Sequence, residues 1–338
     1  MVKVNGIDQK YERFKKIVQK KRNPFAYSAV GSIVGPELCL NRGTPLRERS
    51  LKINTCLECL PCLGRNAVDA ARRSTEDPAI RKAIVSESLH LLAESDLQVP
   101  PPCLARKILD LALRHTGCEE LYGEEKRKSN HLAEELLKEL PGIPEYDPAD
   151  FESRLRLAIA GNILDFGIFA DLNIRLAVEA VKSAFTKEID REAVVRVRER
   201  MEKAEKILYI LDNCGEAVFD RVFMEPYREK ITIGVRGRAA FNDVLPGDLA
   251  GCGLEGFARG VVTNGAAGIP GTVLSECGEE FRRAYREADL IIAKGQGNFE
   301  TMNENAEPIA FLFLAKCPVV IREIGAKANS IQVRTINF

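Results

Sequence analysis

The sequence predicts an α/β protein in which an all-helical region is followed by a mostly parallel sheet with helices on both faces. The chain has 338 residues, 45% of them hydrophobic, which is enough for one large core or two smaller ones. Helical spacing of apolar residues runs through nearly every segment from Cys56 to Ala204. After Glu205, short β-branched or apolar runs alternate with helical or Gly-rich connections, a pattern typical of a parallel sheet.

The elements of the two regions follow from this pattern. Helices are predicted at residues 79–93, 104–114 and 124–140, with the proline-rich breaks VPPP and PGIPEYDP between segments. Strands are predicted at the runs KILYIL, KITIGV, RGVVT, LIIAK, AFLFLA and PVVI. We therefore divide the chain into a basic N-terminal extension (1–50), a helical domain (51–200) and an α/β domain (201–338).

Charge and composition exclude several classes of function. Lys plus Arg and Asp plus Glu each number 49, so no overall field attracts nucleic acid or an anionic membrane. Residues 1–50 carry eleven Lys or Arg against four Asp or Glu, which we interpret as a solvated basic face. No apolar stretch approaches the roughly 18 residues of a membrane span, and charges stand where a signal peptide needs its apolar core. We expect a cytoplasmic protein that binds neither membrane nor nucleic acid.

Polar residues recur at the carboxyl ends of successive predicted strands. In an open α/β sheet, ligands bind outside these ends, because loops from several strands meet there. Carboxylate and amide oxygens are the ligands that Mg²⁺ and Mn²⁺ prefer, whereas lysines and glycine-exposed N–H groups bind phosphoryl oxygens. Each element alone also fits a turn, an N-cap or a surface charge. The candidates are Asp212, Asn213, Asn242, Asp243, Asn264, Gly265, Lys294, Gly295, Gln296, Gly297, Asn298 and Lys316.

Four motifs in order, AGNILDFG, LDNCGE, RGRAAFNDV and KGQGNFET, resemble the damage-control phosphatases, formerly domain-of-unknown-function family 89. The earlier CLPCL resembles the archaeal-type branch of that family, and the resemblance covers about residues 55–335. It implies a helical N-terminal domain packed on a three-layer α/β/α Rossmann-like domain. It also implies a phosphomonoester hydrolase that uses Mn²⁺, Mg²⁺, Co²⁺ or Ni²⁺.

The resemblance assigns roles to individual residues. It implies that Asp212, Asn213 and Asp243 hold the metal. It places substrate contacts at Lys294 to Asn298 and a phosphate contact at Lys316. Asn162 and Asp165, in the GNxxD element, would bring the helical half over the site. Water activated by the metal is then the expected nucleophile, and Lys294 and Lys316 are expected to bind phosphoryl oxygens. The expected partner is a small phosphorylated metabolite: a sugar phosphate, a nucleotide or a phosphopantetheine-like ester. Its identity and the oligomeric state stay open.

Two other interpretations stay open. Cys56, Cys59 and Cys62 have the spacing C-x₂-C-x₂-C, one thiol short of a structural Zn²⁺ or iron–sulfur site, and Cys39 or Cys103 is available as a fourth ligand. The same segment also fits a buried amphipathic helix. A methyltransferase is the other alternative, because an aspartate after a first strand can bind a ribose, but the Gly-rich segments of this chain come late.

Overall fold

The structure, a computed structural model, describes residues 51–163 and 174–338. The predicted basic extension, residues 1–50, lies outside the described residues, as do Asp165 and Cys39. Within the described part, no helix combines the length and the apolar character needed to cross a bilayer.

In the described residues, seven α-helices precede the first strand. They are α1 (Cys59–Ser74), α2 (Pro78–Glu94), α3 (Pro101–Thr116), α4 (Gly123–Glu139), α5 (Phe151–Ala160), α6 (Ile174–Thr186) and α7 (Arg191–Lys203). Their starts follow from local chemistry. Asp77 caps α2 by accepting from the amide of Ala79 at 2.7 Å, and Pro78 at the first position needs no amide partner. Asp150 caps α5 in the same way through Ser153.

The second part of the chain alternates strands and helices. These elements are β1 (Ile207–Ile210), α8 (Glu216–Met224), β2 (Ile231–Val235), β3 (Gly260–Thr263), α9 (Glu279–Glu287), β4 (Leu290–Lys294), α10 (Gln296–Met302), β5 (Ile309–Ala315), α11 (Pro318–Ile324) and β6 (Ser330–Ile336). Short 3₁₀ helices lie in the described connections at Leu140–Gly142, Gly161–Ile163, Glu225–Lys230, Pro246–Asp248, Ala250–Cys252 and Leu274–Glu276.

The six strands form one sheet in the order β3-β2-β1-β4-β5-β6. Strands β1 to β5 pair in parallel, and β6 pairs antiparallel with β5 at the edge. Every residue of β1, β4 and β5 is buried, as expected for parallel strands covered on both faces. The strand order reverses between β1 and β4, so this pair marks the switch point at which open α/β sheets bind ligands.

Helices cover both faces of the sheet and give it three layers. On one face, Leu155 of α5 and Val197 of α7 belong to the same core as Tyr209 of β1. On the other, Phe281 of α9 and Phe299 of α10 share a core with strand residues of β1, β4 and β5. The predicted fold class, an α/β protein with a helical N-terminal region and an α/β/α layer structure, is confirmed.

One predicted strand is wrong. The run PVVI begins helix α11, because Pro318 stands at its first turn and Gly325 ends it in the left-handed conformation. The strand after β5 is instead β6, whose residues alternate between half-buried and buried from Ser330 to Val333. This alternation is that of an edge strand with one face on the core.

Candidate active site

Asp212, Asn213 and Asp243 come together because the chain after β1 pairs with the chain after β2. Asn213 and Asp243 form an isolated antiparallel bridge. On either side of it, the amide of Cys214 donates to the carbonyl of Asn242, and the amide of Val244 donates to the carbonyl of Asp212, each at 2.9 Å. Backbone pairing therefore fixes the three side chains at one point beyond the switch between β1 and β4.

Arg236, the residue directly after β2, joins the two carboxylates. Its Nε donates to Oδ2 of Asp243 at 2.6 Å, and its Nη2 lies 3.6 Å from Oδ1 of Asp212. The same guanidinium donates through Nη1 to Thr272 and to Asn298, so it also connects the carboxylates to the loop after β3 and to helix α10. All five side chains are buried. The sequence analysis missed Arg236; its position at a strand end within RGRAAFND was the available signal.

Two carboxamides complete the arrangement around Asp212. The amide nitrogen of Asn213 lies 3.1 Å from Oδ2 of Asp212, and that of Asn162 lies 3.4 Å from the same oxygen. Because the Asn213 nitrogen is engaged, its amide oxygen is the atom that Asn213 can offer to a cation. Asn162 follows α5, so the helical region contributes directly to the site, as the GNxxD motif implied. Its other predicted member, Asp165, lies outside the described residues.

Burial makes the carboxylates costly to keep charged. Burial first, and then the neighbouring carboxylates of Asp243 and Glu216, raise the pKa of Asp212 well above its usual range. Burial also raises the pKa of Asp243, although Arg236 acts in the opposite direction. A bound cation would remove this tendency to take up protons, because it stabilises the charged form of both groups.

Glycine is required where the loop after β4 meets Asp212. Gly295 has φ +78°, and a Cβ on it would lie 1.9 Å from Oδ2 of Asp212. The backbone of the KGQGN motif therefore packs directly against the carboxylate. This close approach places the predicted substrate-contacting loop beside the predicted metal ligands.

The structure corrects the predicted role of Lys294. Its side chain is fully buried, and its ammonium donates to Glu216 Oε1 at 2.5 Å, to Asp220 Oδ1 at 2.6 Å and to the carbonyl of Ala158 at 3.0 Å. These three acceptors use all three N–H groups, so none is left for a phosphoryl oxygen. Burial opposes the charged form, but Asp220 and Glu216 outweigh it and raise the Lys294 pKa above its usual range.

Glu216 and Asp220 are buried acids that the sequence analysis also missed. They lie four residues apart on α8, which places both carboxylates on one face of the helix. Glu216 accepts from Asn162 at 2.7 Å with its second oxygen, and Asp220 accepts from the hydroxyl of Tyr209 at 2.7 Å. Hydrogen bonds and ion pairs thus connect the surroundings of Lys294 with those of Asp212 through Asn162.

The remaining side chains of the KGQGN motif hold loops together. Asn298 is buried; its amide nitrogen donates to the Lys294 carbonyl at 2.7 Å, and its oxygen accepts from Arg236. Gln296 accepts from the amides of Lys316 and Cys317 at 3.2 and 3.1 Å. A Cβ on the fourth motif residue, Gly297, would lie 2.1 Å from the carbonyl oxygen of Pro270. The hydrogen bonds of Gln296 and Asn298 therefore run within the protein, and their substrate contacts stay a prediction.

Asn264 has a similar structural role in the Gly-rich segment after β3. Its amide oxygen accepts from the amide of Gly237 at 3.1 Å, and its nitrogen lies 3.4 Å from the carbonyl of Gly271. Gly265 has φ +94°, and a Cβ there would lie 2.9 Å from the Gly278 amide nitrogen. These contacts shape the loop, and Thr272 connects it to the site through Arg236.

Lys316 lies beside the site at the end of β5. Its ammonium donates to the carbonyl of Asn162, and its side chain is half-buried. The contact orients a positive charge next to the residue that bridges Asp212 and Glu216. Of the two predicted phosphate lysines, Lys316 is the one whose side chain the structure leaves partly exposed.

The three N-terminal cysteines do not converge on one point. The Sγ atoms of Cys56 and Cys59 lie 3.6 Å apart, whereas Cys62 is exposed. Cys59 and Cys56 pack in an apolar cluster with Cys317. Among residues 51–163 and 174–338, no three His, Cys, Asp or Glu side chains are close enough together to hold a metal ion. The predicted ligand set Cys56, Cys59 and Cys62 is therefore not assembled in the described structure, and packing accounts for Cys56 and Cys59.

Comparison with known proteins agrees with the motifs. Residues 55–331 match the model of the damage-control phosphatase ARMT1-like domain. A damage-control phosphatase of Archaeoglobus fulgidus is 30% identical over 285 residues, which are 82% of this chain and 98% of that protein. A damage-control phosphatase of Pyrococcus horikoshii is 34% identical over 274 residues, 79% of this chain and 93% of that protein.

A solved structure shows the same fold. The crystal structure of a DUF89 family protein from Pyrococcus horikoshii superposes with a TM-score of 0.74 at 31% identity, covering 83% of this chain and 99% of that one. The fold and the site define a class: an α/β/α enzyme with a polar site where the strand order of the sheet reverses. The chain belongs to the damage-control phosphatase family and is a phosphatase.

Proposed function

We propose that the protein hydrolyses small phosphomonoesters with one divalent metal ion held by Asp212, Asn213 and Asp243. The observation that carries the proposal is the charge of the buried cluster around these residues. Four carboxylates and two cations, all buried, are connected by hydrogen bonds and ion pairs: Asp212, Glu216, Asp220, Asp243, Arg236 and Lys294.

The cluster has a formal charge of −2 when every member is ionised. An uncompensated charge is expensive in a protein interior, so a native cluster of this kind takes up protons or binds a cation. One divalent cation neutralises the excess. The oxygen donors of Asp212, Asn213 and Asp243 are of the kind that Mn²⁺ and Mg²⁺ bind, and Co²⁺ and Ni²⁺ accept mixed oxygen sets as well. The residues present therefore fit the metal that the resemblance implied.

The chain's own residues divide the remaining work. When bound, a divalent cation supplies Lewis acidity and lowers the pKa of bound water. Hydrogen bonds from Asn213 and Asn162 hold the carboxylate of Asp212 in place, and a hydrogen bond from Arg236 holds that of Asp243. Their engagement with these donors makes either carboxylate a poor direct nucleophile, which favours attack by water. Lys316 offers its positive charge to the phosphoryl group as negative charge shifts toward the leaving oxygen.

The substrate class follows from the same groups. A phosphoryl group needs a cationic site, which Lys316 and a metal ion held by Asp212, Asn213 and Asp243 would supply. Small sugar phosphates, nucleotides and phosphopantetheine-like esters all carry such a group and are our candidate classes. The names of the two archaeal relatives support damaged metabolites as the physiological range.

The test is phosphate release from a panel of these three classes, with Mg²⁺, Mn²⁺, Co²⁺ or Ni²⁺ and after chelation. We expect activity only with a divalent metal, and none in Asp212→Asn, which keeps the shape of the side chain but removes its charge. Glu188→Gln, an exposed acid paired with the exposed Lys327, is the matched control and should keep full activity. Activity that persists after exhaustive chelation contradicts the proposal.

A further inference from the structure

The ammonium of Lys294 has the surroundings of a metal ion. Its three neighbours are two carboxylate oxygens and one backbone carbonyl, at 2.5, 2.6 and 3.0 Å. Carboxylates and backbone carbonyls are the donors that hard divalent cations take in proteins. The side chains of Glu216 and Asp220 are both fully buried, so water does not compete for these oxygens.

This cation position adjoins the proposed metal site. Glu216 binds Lys294 with one oxygen and Asn162 with the other, and the same Asn162 nitrogen faces Asp212. Many phosphatases place two metal ions side by side at such a cluster of acids, and the two ions stabilise the attacking and leaving oxygens. Here, the chain itself supplies the cation at the second position.

We infer that Lys294 is a built-in replacement for a second metal ion, so that the centre binds one divalent cation. The inference rests on the proposed metal role of Asp212, Asn213 and Asp243. It assigns Lys294 a positioning role: the ammonium holds Glu216, Glu216 holds Asn162, and Asn162 faces the ligand Asp212. It also explains why a lysine in the KGQGN motif points into the protein.

The charge of the cluster makes the inference quantitative. With Lys294 present, the formal charge is −2 and one divalent ion neutralises it. Replacing Lys294 by methionine changes the charge to −3 and leaves Glu216 and Asp220 facing an uncharged side chain. These two carboxylates and the Ala158 carbonyl then form an oxygen pocket that a second Mn²⁺ can occupy.

The test counts bound Mn²⁺ by equilibrium dialysis and elemental analysis in wild type, Asp212→Asn, Lys294→Met and Lys126→Met. Lys126 is the matched control, because its buried ammonium also binds two carboxylates, Glu120 and Asp248, at 2.8 and 2.9 Å. We expect wild type to bind one more ion than Asp212→Asn. Lys294→Met should bind one more than wild type, and Mn²⁺ should raise its Tm more than that of wild type. Lys126→Met should match wild type in ion count.

Each other outcome is decisive. Two ions lost together in Asp212→Asn overturn the inference and the count of one ion, but leave metal-dependent hydrolysis at Asp212 standing. No difference between wild type and Asp212→Asn overturns both. A folded Lys294→Met with the wild-type ion count and the wild-type Mn²⁺ effect on Tm also overturns the inference. If Lys294→Met is unfolded without metal, added Mn²⁺ should restore its folding. A variant that stays unfolded with Mn²⁺ overturns the inference.

Discussion

Lys126 in α4 and Lys294 at the end of β4 are both buried lysines bound by two carboxylates, but they differ in their partners. The partners of Lys126, Glu120 and Asp248, have side chains 28% and 23% exposed. Those of Lys294 are fully buried. The first arrangement joins a helix to a loop near the surface, where water shares the charge. The second lies in the interior, where every charge must be balanced by another group.

The difference shows where the fold keeps an excess of negative charge. In the helical region, buried cations such as Arg106 and Arg156 also bind backbone carbonyls and a partly exposed acid, so no internal excess results. The cluster around Asp212 is different. Among the described residues, it is the one connected cluster in which several buried acids outnumber the buried cations. The site is thus distinguished by uncompensated charge.

Removing each lysine in turn should give the largest difference in stability between the two sites. In metal-free buffer, Lys294→Met should lower the free energy of unfolding by about 3–5 kcal/mol, because it leaves two buried carboxylates without a cation. Lys126→Met should cost less, about 1.5–3 kcal/mol, because Glu120 and Asp248 can recover water. Urea unfolding with both variants measures the difference, and equal losses would mean that the two sites do not differ in burial of charge.

A second prediction contrasts Lys294 with Lys316, the lysine that stays partly exposed. Lys316→Ala should lower kcat/KM by about 10²–10³, the scale of losing one positioned electrostatic stabiliser, while Mn²⁺ affinity hardly changes. Kinetics and calorimetric Mn²⁺ titration measure the two quantities. Lys327→Ala, an exposed lysine paired with Glu188, is the control. A variant as active as wild type would show that Lys316 is only a surface charge.

Glu300 extends the comparison to a buried acid that has no cation partner among the residues that the structure describes. Burial raises its pKa to about 7, against a usual value of 4.5, and the hydrogen bond from Gln296 acts in the opposite direction. Between these two pH values the folded state holds a proton that the unfolded chain has released. The stabilisation by the protonated group is therefore complete below pH 4.5 and is lost as the pH rises toward 7.

Glu300→Gln should remove this loss. Relative to wild type, its stability should increase as the pH rises from 4.5 to 7 and level off above, with a gain of up to about 3 kcal/mol. Thermal unfolding across that range measures the gain. Glu304→Gln, at an exposed position nearby, should show a flat difference. A flat difference for Glu300→Gln as well would contradict the raised pKa.

Substitution of the cysteines in α1 gives the smallest expected effect on stability and activity. Cys59→Ser places a hydroxyl in the apolar cluster of α1 and α3, so it should lower the Tm; Cys62→Ser, at an exposed position, should change stability by less than about 0.5 kcal/mol. Turnover per folded molecule should stay at the wild-type level in both. Loss of turnover in Cys62→Ser at an unchanged Tm would reveal a chemical role that packing does not explain.

The strands that the sequence predicted correctly are those with no competing local signal. The five runs that become β1 to β5 are short and apolar or β-branched; β1, β4 and β5 are buried throughout, β2 nearly so, and the edge strand β3 buries only Val262. PVVI has the same composition, but Pro318 at a first helical turn and Gly325 as the cap favour a helix. Strand β6 was missed because Gln332 and Arg334 make its alternation polar on one side, as suits an edge.

At the site, sequence reasoning located residues better than it oriented them. The rule that ligands bind at strand ends brought Asp212, Asn213 and Asp243 to one place, where the structure also has them. It could not tell that Lys294 points inward, because the partners Glu216 and Asp220 lie 78 and 74 residues away along the chain. Side-chain direction at a strand end depends on such long-range contacts, which no local pattern records.

The central claim is that the buried carboxylates bind one divalent metal ion, and calorimetric titration with Mn²⁺ tests it most directly. Wild type should bind one Mn²⁺ at this site, and Asp212→Asn, which removes one unit of negative charge at nearly constant shape, should bind it at least about tenfold more weakly. Glu188→Gln should titrate like wild type. Identical Mn²⁺ titrations of wild type and Asp212→Asn would contradict the claim.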